Sequence, residues 1–470
     1  MKHNNHYPLW LFVFFPAVAM LLGWGLRGYI GGGPFGALIP GCYVALCLVL
    51  LLNYRSDAAA TVALFGAVGV AYGGDMTYGQ TLGFLKQPDT VYWGLIGCLV
   101  KGSVWGLLGG AVLGVGLTRA NYERKTIVIA FLITIVACYV GIKLINEPKL
   151  IYFSNRLDKP RDESWAGLLF AAIAFLTYLR GRGKNAELRI PLRFALWGAL
   201  GGGVGFAGGA LWMVFGPMLK MEHEYIGWWK AMEFSFGFCF GAALGYAAYL
   251  NRDALALAGQ QPDPAPVTWR PLVIFFAFAA TIFVAYPMLA RMLPDGLESN
   301  TSFAAMIVRD ILRVTTGFIL FGAVAIILGL RSRCVAWQVA ITLTFFHTVL
   351  DLVRDMDTPE KFGYALPQWV QLAIIVCSTV VMGYIVQRIQ MTSEPVLNLL
   401  LLAVWSCYAT ATARSFFRTE LFFPPEGQSV MTVLVEKHTS IFFVHGTFTV
   451  SALLTTWWAL RYFRTGQKSA

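Results

Sequence analysis

Apolar runs of eighteen or more residues recur along the whole of this 470-residue chain, and that pattern leaves few architectures open. Each run is long enough to cross the hydrocarbon core of a bilayer as a helix. Only 13% of the residues are charged against 57% hydrophobic, and the mean hydropathy is +0.63. A water-soluble domain could not hide that much apolar surface. Forty-eight glycines lie through the runs, which suits helices packed closely through small faces rather than the two-residue alternation of a β-barrel. The expected fold is an all-α polytopic integral membrane protein.

Fourteen spans are expected, at 8–26, 35–53, 59–83, 91–118, 126–146, 164–180, 191–219, 226–251, 270–293, 304–330, 334–352, 367–387, 395–413 and 439–462. Loop charge orients them. If the two termini share a side, that side collects Lys2, Arg55, Arg119, Arg124, Lys125, Arg180, Arg182, Lys184, Arg189, Arg193, Arg252 and Arg270 with few acids, while the opposite loops are balanced. Flanking cations stay on the cytoplasmic side, so both termini are expected there, in the cytoplasmic (inner) membrane of a bacterium. The start, MKHNNHYPLW, lacks a long basic region and a small-residue cleavage site, so 8–26 reads as a retained first span.

The net charge of +11 follows from this topology. Lys and Arg form no long cluster, so nucleic acid is not an expected partner; membrane lipid and a small-molecule solute are. The eight cysteines lie in or beside apolar runs with no CxxC pair, and read as packing residues. No metal and no cofactor is expected. The motifs GxxxxGK[ST], HExxH and GxSxG are absent, and no GxGxxG sits in a soluble βαβ setting, so ATP-driven transport and several hydrolase chemistries have no support.

Residues 252–269, rich in Pro and Ala, read as a cytoplasmic linker between an N-terminal membrane domain (1–251, about eight helices) and a C-terminal one (270–470, about six). Within the first, an internal repeat is expected. At an offset of 135 residues Gly66, Gly73, Gly74, Trp93, Gly102, Gly106 and Gly110 coincide with Gly201, Gly208, Gly209, Trp228, Gly237, Gly241 and Gly245. Units 8–118 and 126–251 would then be parallel copies, a familiar construction among transporters.

Residues 23–41, GWGLRGYIGGGPFGALIPG, break the first two spans apart with a run of glycines, Pro34 and one arginine, Arg27. Irregular backbone at membrane depth must be buried in protein, or else form a short turn outside it. Gly31, Gly32 and Gly33 would let backbone approach a ligand closely, with Arg27 and the following helix start favouring an anion. Charges inside spans are costly and mark candidate sites. Asp75 follows Gly73 and Gly74; Lys101 precedes the first glycine of a GxxxGxxxG; Glu233 lies in span 8, where the offset brings it level with Cys98, about one turn from Lys101, for a cross-axis pair.

A second set gathers in the last spans. His347, Asp351, Arg354 and Asp355 stand at i, i+4, i+7 and i+8, on one helix face. The last long loop and its flanks add Arg414, Arg418, His438 and, further on, His445. Arg309, Asp310 and Arg313 form a lesser group at the head of span 10.

Two functions from different classes are expected. The favoured one is a secondary active transporter, ion or proton coupled, of a small polar anionic solute: Arg27, Lys101 and Gly31–Gly33 meet the anion, and Asp75 or Glu233 carries the coupling proton. The alternative is an integral membrane transferase (acyl, glycosyl or phosphoryl) acting on envelope lipid or glycan at the outer face, with His347, Asp351, Arg354, Asp355 and His438 catalytic. A structural or sensory membrane subunit is the third expectation.

Overall fold

A computed structural model describes residues 7–76, 78–154, 162–183, 189–221, 225–261, 317–357, 365–419, 421, 424, 426–437 and 439–464. Among the described residues every regular element is a helix. In chain order these are α1 (Leu9–Arg27), α2 (Gly33–Leu51), α3 (Ser56–Tyr72), α4 (Gly79–Gly83), α5 (Val91–Leu117), α6 (Arg124–Gly141), α7 (Trp165–Leu179), α8 (Arg189–Phe215), α9 (Trp228–Leu250) and α10 (Arg252–Gly259). They continue with α11 (Phe318–Gly329), α12 (Arg333–Met356), α13 (Gln368–Ile389), α14 (Pro395–Arg418), α15 (Val430–Lys437) and α16 (Ser440–Phe463). α12 is α-helical at both ends, with a π-helical stretch over Gln338–Leu343.

Eleven of the described helices are long and apolar enough to cross a membrane, and the protein is a polytopic helical membrane protein. α7 and α11 are shorter apolar helices; they stand where spans 164–180 and 304–330 are expected. The expected span at 270–293, and the second part of the linker, 262–269, lie outside the described residues, while the first part of the linker forms α10.

Local chemistry explains the break between α1 and α2. Gly28 caps α1, Gly31 and Gly33 take left-handed φ values of +138° and +62°, and Pro34 occupies the first turn of α2, where its missing N–H costs nothing. The two helices then cross closely: a Cβ on Gly23 would stand 2.7 Å from Pro40 Cα.

The GxxxGxxxG helices use their glycines as expected, but on unlike partners. Gly102, Gly106 and Gly110 of α5 lie against Gly202, Gly198 and Phe194 of α8, backbone to backbone. Gly237, Gly241 and Gly245 of α9 lie instead against Met20, Pro16 and Phe12 of α1. Two copies packed alike would set these α9 glycines against α3, so the glycine faces do not share equivalent partners, although α3 on α5 and α8 on α9 are packed in corresponding positions. Gly106→Leu should drive a side chain into the Gly198 carbonyl and cost about 1–3 kcal/mol, read as a lower melting temperature in detergent. Gly208→Ala is the control: nothing stands within 4 Å of its added Cβ, so stability should hold or rise slightly.

The C-terminal helices share this core: α16 packs on α1, α14 on α2, and α11 and α12 on α3. Antiparallel succession brings the C-terminal ends of α1, α3, α12 and α14 and the N-terminal ends of α2, α9 and α16 together. Most of the buried charge sits at this glycine-loop end.

Candidate functional site

Arg27 is the last residue of α1 and only 3% exposed. Its guanidinium carbon lies 5.5, 5.4 and 5.2 Å from the ring centres of Trp24, Tyr78 and Trp105, an aromatic cage that suits a delocalised cation. Nη1 donates to the Tyr78 hydroxyl at 2.8 Å, while Nε is buried with no hydrogen-bond partner among the described residues. A guanidinium N–H left unpaired out of water is costly, so its persistence asks for an explanation.

The Tyr78 hydroxyl in turn donates to Glu233 Oε1 at 3.3 Å, linking cation to carboxylate through one phenol. Burial pushes that phenol up to about 12, so it keeps its proton and remains a donor at neutral pH. Glu233, 1% exposed, also accepts from Trp229 Nε1 at 3.0 Å and from Lys230 Nζ at 2.5 Å. The Lys230 ammonium reaches the Gly25 carbonyl as well, at 3.1 Å. Gly28 is exposed and roofs this pair: a Cβ there would come within 2.6 Å of Lys230 Nζ and 2.5 Å of Glu233 Oε2. Trp24, Trp105 and Phe236, each about 1% exposed and packed together, close the site toward the middle of the bundle.

The second set of charges meets the same loop from the other side. Asp351 binds Arg414 Nη1 at 3.0 Å and Arg354 at 2.9 Å; Asp355 binds Arg414 Nε and lies 3.8 Å from Arg418. Arg414 Nη1 also donates to the Tyr29 carbonyl at 2.7 Å, tying α12 and α14 to the glycine loop. His347 packs on Gly31 and lies 5.3 Å, centre to centre, from Phe35. Behind Tyr29, His445 Nε2 lies 2.7 Å from Ser415 Oγ, which itself donates to the Ala411 carbonyl at 2.8 Å. The Lys230 ammonium stands 5.3 Å from the Tyr29 ring centre, so one residue touches both charge sets.

Lys101 and Glu233, placed opposite one another by the repeat offset, have other partners. Lys101 binds Glu163 at 2.7 Å and the Thr81 hydroxyl at 2.8 Å, and both ends of the ion pair are about 1% exposed. The cause is that Glu163, just before α7, sits in the bundle against Phe153 and Ser154 and meets Lys101 there. Asp75 ends the 3₁₀ turn after α3 and borders a cavity of roughly 200 Å³ with Cys138, Lys143 and Ser164. Ser164 Oγ donates to its carbonyl at 3.0 Å; its carboxylate has no hydrogen bond or ion pair among the described residues. Arg354 and Arg418 are largely exposed at the rim. His438, Arg309, Asp310 and Arg313 lie outside the described residues.

Tyr78, Trp229, Glu163 and Tyr29 belong to these networks and were not singled out by sequence. Lys230 and Glu233 stand three apart on one helix face, a spacing that announces their pairing. No family model, no curated protein and no solved structure matches the chain.

Proposed function

We propose that the chain is a proton-coupled secondary transporter of a small anionic solute, with Arg27 as the anion anchor and Glu233 as the proton carrier. The observation that carries this reading is the buried, partly unpaired guanidinium of Arg27 beneath a glycine loop, one phenol away from a carboxylate. A carboxylate or phosphate oxygen entering between the glycines would satisfy Nε with a charge-assisted hydrogen bond. Arg27, Lys230 and Glu233 carry one net positive charge together; a proton on Glu233 makes it two. Proton and anion therefore favour each other's binding, which is the thermodynamic requirement for symport.

The remaining charges take supporting parts in this reading. Arg414, held by Asp351 and Asp355, is a strut for the loop, and Lys101 with Glu163 anchors the connection that covers Asp75. Arg414 engages both Asp351 and Asp355, which in the transferase reading would have to serve as acids or bases, so that reading would rest on His347. The full topology proposed is fourteen spans with both termini in the cytoplasm of a bacterial inner membrane, so that the glycine loop faces outward. The repeat in 8–118 and 126–251 and the division at 252–269 are kept as part of the same proposal.

The test is uptake into proteoliposomes of a panel of small carboxylates and inorganic phosphate, with and without an inward proton gradient. Arg27→Gln should weaken the apparent affinity by roughly 10- to 100-fold, the value of one lost charge-assisted hydrogen bond. Glu233→Gln should still take up solute and no longer respond to the gradient. Undiminished uptake in Arg27→Gln would remove the anion site from this place.

A further inference from the structure

Between the connection before α5, the end of α8 and the start of α9 lies an open groove of about 670 Å³. Its walls include Met213, Met221, Trp228 and Trp229, and two lysines, Lys86 and Lys220, stand on its rim, both exposed. Glu222 and Glu224, which follow Met221 in the chain, lie outside the described residues. Trp212 stacks on Trp228 with ring centres 6.3 Å apart and planes 15° apart, placing two indoles at the span ends where the polar–apolar boundary of a bilayer favours them.

The outer face of α8 leads up to this groove. Leu196, Leu200, Val204 and Phe215 are 56%, 53%, 54% and 56% exposed, and the first three stand four residues apart, so they form one apolar track along the helix. Gly208, also exposed, leaves a notch in that track. The track ends among methionines and indoles, with two cations at the rim beyond them. An apolar track closing on a pair of ammonium groups matches one kind of molecule: an amphiphile whose chains lie on α8 and whose anionic head sits at the lysines.

We propose that the groove is a binding site for an anionic phospholipid, with Lys86 and Lys220 meeting its phosphate and an acyl chain lying along Leu200 and Val204. The inference goes beyond the transport reading and stands without it. It has one consequence for that reading: Trp229, a wall of the groove, donates to Glu233 and stacks on Tyr78 at 5.9 Å, so a bound lipid would touch the residue that positions the proposed proton carrier.

Native mass spectrometry of the full chain in detergent, titrated with phosphatidylglycerol or phosphatidylcholine of identical chains, tests it. Wild type should retain phosphatidylglycerol in preference, and the paired variant Lys86→Gln, Lys220→Gln should lose about 30-fold in that preference. The paired variant Lys86→Arg, Lys220→Arg should keep it, which separates loss of charge from loss of fold. Equal retention of the two lipids by wild type would overturn the proposal, as would an unchanged preference in the glutamine pair. Displacement of phosphatidylglycerol by millimolar inorganic phosphate would also overturn it, by making the groove a site for a free anion that ignores the chains.

Discussion

Lys101→Met should lower stability by about 3–5 kcal/mol, because it strands the Glu163 carboxylate, 1% exposed, without its counter-charge. The carboxylate would keep Phe153 N at 3.1 Å and Ser154 Oγ at 3.0 Å, two donors that hold it but cannot neutralise it. Glu163→Gln should be milder, since the Thr81 hydroxyl and the new amide oxygen can still accept from the Lys101 ammonium, whereas methionine offers the Glu163 carboxylate nothing. The double change Lys101→Met with Glu163→Gln should recover much of the loss. Thermal melting of the three proteins in one detergent decides the matter. If the double variant simply adds the two single losses, the pair is not the coupled unit described here.

Arg414→Ala is expected to do comparable damage at the other side of the glycine loop, also about 3–5 kcal/mol. Two carboxylates, Asp351 and Asp355, would lose a guanidinium that is itself only 6% exposed, and the Tyr29 carbonyl would lose its donor. The loss should be local as well as global. Hydrogen exchange of the amides in 28–33 should accelerate well before the helices open, because Arg414 is the loop's tie to α14. Arg414→Lys should fall between wild type and the alanine variant: one ammonium cannot serve two carboxylates and a carbonyl with the spread of a guanidinium. Exchange in 28–33 unchanged by Arg414→Ala would show that the loop is held by other means.

The sequence located helices well and partners poorly, and the reason is physical. An apolar run of span length has one stable outcome in a bilayer, so α1, α2, α5, α8, α9, α14 and α16 stand close to where hydropathy places them, whereas the expected span 59–83 divides into α3 and the short α4. The break at 23–41 was legible for the same reason: eight glycines and two prolines exclude a continuous helix. Which buried charge meets which is a different question, set by how a connection folds back on the bundle. Glu163 sits beyond any helical period that could relate it to Lys101, sixty-two residues away. Tyr78 was hidden inside the expected span 59–83, which the structure breaks after Tyr72; the glycines at 73 and 74 were a usable hint of that break. The two charge sets that the sequence kept apart as rival sites, one around Arg27 and one around Asp351, converge on Tyr29 because α12 and α14 pack on α2 and α3, a neighbourhood no local pattern encodes.

The seam between α1 and α9 bears on how the chain is made. Glycines 237, 241 and 245 give α1 its closest neighbour, yet roughly 200 residues separate the end of α1 from the start of α9. At ordinary synthesis rates the first helix would wait roughly ten to forty seconds in the membrane before that partner emerges. Tyr78, fifty-one residues after Arg27, emerges in about the first quarter of that interval, but Glu233 is missing for all of it, and until α9 arrives α1 must rest on α2 through the contact of Gly23 with Pro40. The first two helices therefore have to behave as a self-sufficient hairpin, and substitutions at Gly23 or Pro40 would be felt during biogenesis, at the translocon, before they were felt in the finished protein.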